Sequence, residues 1–281
     1  MELNSSIILS VVTFGYGLAV ILYIAAWVFR KPQPGKLATW VSMASVSGNA
    51  AGIILRWVES YQRGFGHAPL SNMYESLVFF ACTIGIIYLV VEYRSGNRVI
   101  SAFASPLAFL SIAYASLSPN ISDRIQPLLP ALKSNWLIAH VLTCFLGYAA
   151  FAVAFGLSLM FLLKLKEGEE GNRLLALFPS SETIDDLTHQ MIVFGFLFLT
   201  AGIITGAVWA NSAWGRYWGW DNKEIWSLIT WLIYATLLHA RLMAGWSGRR
   251  IAYISIIGFM AVLFTYFGVN YLPGLHSYSA Q

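Results

Sequence analysis

The chain has 281 residues, of which 58% are hydrophobic and 11% charged, against roughly a quarter charged in a soluble domain. With a mean hydropathy of +0.65, its apolar surface has no place in water, so the solvent is lipid. The net charge of +4 says little alone, and the chain lacks a Gly-rich phosphate loop, His-Glu-x-x-His and Gly-x-Ser-x-Gly. This excludes a nucleotide-driven pump or a standard hydrolase, and nothing points to nucleic acid.

Eight stretches are long and apolar enough to span a bilayer, so the expected fold is an all-α integral membrane protein. The first, 6–29, is read as a retained span: no basic leader precedes it, and Arg30 and Lys31 follow where a cleavage site would need small residues. The second, 37–57, is the weakest, diluted by Ser42, Ser45, Ser47, Gly48 and Asn49, whose small size suits close helix packing. The third and fourth are 73–92 and 99–117, with a loop before the third that carries His67, read as a surface histidine. The fifth, 136–163, holds His140 one turn from its start. A polar stretch, 164–187, with Glu167, Glu169, Glu170, Asp185 and Asp186, is read as a solvated connector. The last three are 188–210, 223–241 and 251–271. Beyond them Pro273 and Gly274 would stop the helix and let His276 fold back.

Alternate loops divide the 17 Lys and Arg unevenly, eleven against six. The richer set should face the cytoplasm, which puts both termini and the loops near 58–72, 118–135 and 211–222 outside. Cys82 and Cys144 lie in apolar stretches without a Cys-x-x-Cys, so both are read as small buried residues and not as a redox pair or haem-attachment sequence.

The segment 208–231 reads VWANSAWGRYWGWDNKEIWSLITW. Six of the 11 Trp fall between Trp209 and Trp231. An interfacial aromatic belt is the plain reading, but a belt places one or two Trp per span end. This density, broken by Gly215 and Gly219, suits a flat apolar platform for a planar aromatic ligand, formed by Trp214, Gly215, Tyr217, Trp218, Trp220 and Trp226. Trp214 and Trp218 share a face if the loop is helical. Asp221-x-x-Glu224 reads as an N-cap with its capping-box partner, and Asp221 can also hold the loop under a ligand.

Trp214-Gly-Arg-Tyr-Trp-Gly-Trp-Asp221, continuing through Asn-Lys-Glu-Ile-Trp226 to Trp231 and Leu238-His-Ala-Arg241, resembles the CcsA/ResC family of system II cytochrome c biogenesis. This is the family of polytopic haem handlers with the WWD domain. Gly66-His-Ala-Pro-Leu-Ser-Asn-Met-Tyr-Glu-Ser76, Trp136-Leu-Ile-Ala-His140, Gly195 to Ala210 and Pro273-Gly-Leu-His-Ser-Tyr278 carry the likeness further, over roughly 60–278. The chain is then one polytopic domain, with 1–60 as N-terminal spans and 60–278 as the haem-handling region.

The resemblance implies that non-covalent haem b is carried across the membrane and presented for attachment to an apocytochrome c Cys-x-x-Cys-His. It also implies a CcsB/ResB-type partner subunit, in a bacterial plasma membrane or a thylakoid. It assigns the outer iron ligands to His140 and His276, and a transmembrane ligand to His239. From Trp220 to His239 is about 28 Å along a helix, so these are separate sites. The partner would complete the inner site, with His189 as a local alternative. Arg56, Arg124 or Arg216 could pair with the propionates. No acid–base or nucleophile set is present, so synthase activity would belong to the whole complex. A CcmC-like handler that loads haem onto a chaperone, a small-solute transporter and a quinone-linked haem subunit are the alternatives.

Overall fold

A computed structural model describes residues 4–165 and 174–272. Its regular structure is helical, with eight helices each long and apolar enough to cross a membrane. They are α1 (Ser5–Val28), α2 (Pro32–Gln62), α3 (Met73–Ser95), α4 (Val99–Leu117), α5 (Asn135–Lys164), α6 (Ser181–Trp214), α7 (Asn222–Ala244) and α8 (Arg249–Tyr266).

Several boundaries differ from the sequence reading; α2, for example, runs Pro32–Gln62 and not 37–57. α6 begins at Ser181 because Ser180 caps it, its side chain accepting from the Thr183 amide. The acidic stretch Asp185–Asp186 is therefore helix and not connector, and the Asp185 carboxylate accepts from Arg241 at 2.7 Å. α8 ends at Tyr266, and Gly268–Tyr271 forms a short 3-10 turn.

The described residues form two compact units. The first draws on 1–129 and 163–179 and holds α1–α4. Its polar second helix is explained by packing: a Cβ on Gly15 would meet Ser45, and one on Gly48 or Gly52 would meet Val12 or Leu9. The serines and glycines of α2 thus let α1 approach closely.

A buried carboxylate ties each end of this unit. At one end Glu92 of α3 accepts from Tyr23 of α1 (2.6 Å), Thr39 of α2 and Ser101 of α4. At the other, Glu75 of α3 pairs with Arg56 of α2 at 2.9 Å, and both side chains are almost fully enclosed. An ion pair survives such burial only when its remaining valences are satisfied; Ser71 donates both its amide and its hydroxyl to Glu75 Oε2 at 2.8 Å.

The second unit draws on 130–162 and 180–281 and holds α5–α8. α5 is its centre. Phe151 of α5 stacks on Tyr234 of α7 at 3.6 Å, and Phe155 lies against Phe259 of α8. The face of α5 toward α6 runs His140, Cys144, Gly147, Phe151; the facing residues of α6 are Gly206, Gly202, Leu199 and Gly195. A Cβ on Gly147 would stand 3.0 Å from the Gly195 carbonyl oxygen, so only glycine allows this approach. Both cysteines are free and buried, as expected.

Candidate functional site

α6 stops at Gly215, whose left-handed backbone (φ 74°) returns its amide to the Asn211 carbonyl. α7 starts at Asp221 with a full capping box to Glu224, as the sequence indicates. Between them 215–220 is non-helical, so Trp214 and Trp218 do not share a helical face.

The Glu224 carboxylate does more than cap. Its Oε2 accepts from the Gly219 amide at 2.7 Å and from the Asp221 amide at 3.0 Å, the two residues flanking Trp220. Trp220 sits between them with φ 57°, a conformation that costs an aromatic residue of order 1–3 kcal/mol. One carboxylate oxygen thus clamps both neighbours of a strained tryptophan whose indole is 68% exposed. Replacing Glu224 with alanine should release the clamp. Amide hydrogen exchange at 219–221 should then rise about tenfold, the loss of charge-assisted hydrogen bonds worth about 1.5 kcal/mol or more. Unchanged exchange would show that the turn holds itself.

The six tryptophans have different duties, and no single flat platform exists. Trp218 and Trp220 are perpendicular at 5.7 Å. Trp214 packs on Trp209 at 4.9 Å. Trp226 lies on Phe264 of α8 at 4.2 Å, and Trp231 donates to Thr200 of α6 at 2.8 Å, so both fasten α7 to its neighbours. Tyr217 and Trp220 are the exposed aromatic edges; the Trp218 indole N–H is enclosed and makes no hydrogen bond among the described residues.

His140 is half-buried, with Nδ1 2.8 Å from the Gly202 carbonyl of α6. A carbonyl only accepts, so Nδ1 carries the proton, and a neutral imidazole held this way has its lone pair on Nε2. The ring lies nearly parallel to buried Trp209 at a centroid distance of 6.1 Å and an angle of 14°. It occupies space left by Gly206, where a Cβ would come 2.6 Å from Nδ1. A metal-ligating imidazole is commonly oriented in this way, by its second nitrogen on a carbonyl.

His276 lies outside the described residues. His239 is exposed on α7, in an outward stripe with Leu232 and Met243. The contacts of Trp231 with Thr200 and of Arg241 with Asp185 set the register of α7 on α6, and put His239 level with His189, which is half-buried with Nδ1 unpartnered among the described residues. His67 is not a surface histidine. It is 6% exposed, with its ring nitrogens 3.0 and 2.9 Å from the carbonyls of Ala68 and Gln126, so it fastens one loop to another. Arg56 and Arg124 belong to the first unit, while Arg216 folds over Gly219 in the tryptophan loop.

The sequence reading gave no individual site role to four contributors: Trp209, the pair Gly202 and Gly206, Glu224 as a clamp, and Lys223. The glycines had a visible signal, Gly195, Gly202 and Gly206 recurring on one helical face. Lys223 is half-buried at the second position of α7, where the helix dipole opposes a cation. Its ammonium forms no close ion pair among the described residues.

Comparison with known proteins places these features. A family model described as "Cytochrome C assembly protein" matches residues 70–276. Cytochrome c biogenesis protein CcsA of Guillardia theta is 42% identical over 242 residues, covering 79% of each chain. The CcsA protein of Synechococcus sp. (strain CC9902) is 41% identical over 289 residues, covering 93% of this chain and 92% of that one. Among solved structures, cytochrome c heme lyase CcmF superposes with a TM-score of 0.72 over 95% of this chain at 14% identity, which is a likeness of fold; this chain spans 47% of CcmF.

Proposed function

The chain belongs to the cytochrome c assembly protein family, and from that premise we propose that it carries haem across the membrane and presents it for attachment to apocytochrome c. The observation that carries the reading is the state of His140. Its proton is fixed on Nδ1 by Gly202, its ring is stacked on Trp209, and it stands at the start of a membrane span. These residues fit haem as cargo: an oriented imidazole for the iron, aromatic surface for the porphyrin, and Arg216 and Lys223 as cations for the propionates.

In this reading the charge asymmetry of the loops puts the tryptophan segment and His140 on the outer face. His276 is the second outer ligand by family likeness, and haem b is held without a covalent bond. His239 is the inner ligand. Its exposure on α7 suits a second ligand from a CcsB/ResB-type partner, and its level with His189 supports the local alternative. When bound, haem supplies vinyl groups to which the thiols of a Cys-x-x-Cys-His segment add. The chain contributes positioning: Glu224 fixes the exposed Trp220, and Gly202 and Gly206 orient His140. A bacterial plasma membrane and a thylakoid both fit.

The absorption spectrum of the detergent-purified chain tests the assignment. The wild type, with its partner, should show low-spin haem b; His140→Ala should weaken that spectrum, and added imidazole should restore it. A spectrum unchanged in His140→Ala would remove the outer-ligand assignment.

A further inference from the structure

The first unit holds a polar cavity of about 180 Å³ beside the start of α1, the end of α2 and the loop after α4. Arg56 forms part of its wall, with Arg63 from the end of α2 and Arg124 from the loop. Arg56 is 2% exposed and joins Glu75 through Nε alone. The usual fork of Nε and Nη2 on one carboxylate is blocked, because Glu75 Oε2 is already taken by Ser71. Arg56 Nη2 is left buried, without a hydrogen-bond partner among the described residues. Such a donor has lost its water without a hydrogen bond in its place.

The wall sets three guanidinium groups against the carboxylates of Glu59 and Asp123, a net positive charge. Glu59 is committed, its two oxygens accepting from the Ser5 amide at 2.7 Å and the Ser5 hydroxyl at 2.6 Å. Arg63 and Arg124 are exposed and take no part in the ion pairs of the described residues. Asp123 is the one uncommitted acid in the wall, and it is exposed, where water and salt screen it. Two guanidinium groups from α2 and its C-cap and a third from the loop after α4 suit an anion that accepts from more than one side, and the volume is well below that of a pocket for a porphyrin-sized ligand.

We propose that this cavity is a binding site for a phosphate group, supplied either by a lipid headgroup or by free phosphate. In this site Arg56, whose Nη2 lacks a partner among the described residues, supplies the buried guanidinium of the wall, and Arg63 and Arg124 supply the exposed ones. The site sits at the start of α1 and the end of α2.

The test is thermal unfolding of the full chain in a neutral detergent. Inorganic phosphate is titrated against chloride of equal ionic strength, and short-chain phosphatidylglycerol is titrated separately. A ligand that binds only the folded state raises the midpoint saturably. At least one probe should do so, and Arg63→Gln/Arg124→Gln, whose side chains are exposed, should bind it roughly tenfold or more weakly. A response to the lipid alone identifies a headgroup site; a response to inorganic phosphate identifies a site open to the free ion. The proposal is overturned if neither probe exceeds its control, or if the double variant responds as the wild type does.

Discussion

Replacing Arg56 with methionine should destabilise the chain by about 3–5 kcal/mol, because it leaves the Glu75 carboxylate buried without its counter-ion. The loss of the Arg56 contact over the Tyr74 ring, 5.0 Å to its centroid, adds to this. The carboxylate keeps two donors from Ser71, yet these offset only part of a full charge in low dielectric. Neutralising it as well should recover stability: Arg56→Met/Glu75→Gln retains an acceptor for Ser71 and should unfold later than Arg56→Met alone. Chemical unfolding in detergent, read as a double-mutant cycle, measures the coupling. Independent, additive effects of the two substitutions would show that the pair contributes nothing.

The second large effect is expected at a residue that touches no ligand. Gly206→Ala places a methyl group 2.6 Å from His140 Nδ1 and 2.8 Å from Cε1. The ring must turn, and the bond to the Gly202 carbonyl breaks. Loss of an orienting hydrogen bond of this kind costs roughly 10–100-fold in metal affinity. Gly206→Ala should therefore weaken the haem spectrum nearly as His140→Ala does, although the histidine is still present. Free imidazole should rescue it, since the aromatic surroundings remain. A wild-type spectrum and affinity in Gly206→Ala would mean that His140 needs no fixed orientation, or that it is not the ligand.

The two predictions also differ in what could be read beforehand. Eight spans were legible because each must carry a long apolar run, whatever its neighbours are. The capping box at Asp221 and Glu224 was legible because the spacing and the hydrogen bonds lie within one turn of helix. The likeness of 208–231 to a haem-handling family likewise needs only contiguous residues. Even the weak second span could be counted, since the alternation of charge between successive loops requires it.

Other features depend on residues far apart in the chain. His67 reads as a loop histidine until Gln126, from another loop, is placed against its ring. Arg56 reads as one more external cation until Glu75 of α3 meets it inside the bundle. The tryptophans read as one platform by density, whereas packing gives Trp226 and Trp231 to helix contacts and sets Trp218 across Trp220. The left-handed Trp220 could not be foreseen, because local preference opposes that conformation in an aromatic residue. Only the folded turn, with Glu224 brought back onto both flanking amides, offsets its cost. What the chain determined by itself was where lipid must replace water and where helices must begin and end, since those follow from local composition and hydrogen bonding. The tertiary structure alone decided which imidazole is oriented, which charge is buried and which indole stands free, because each of those is settled by a partner that sequence spacing does not locate.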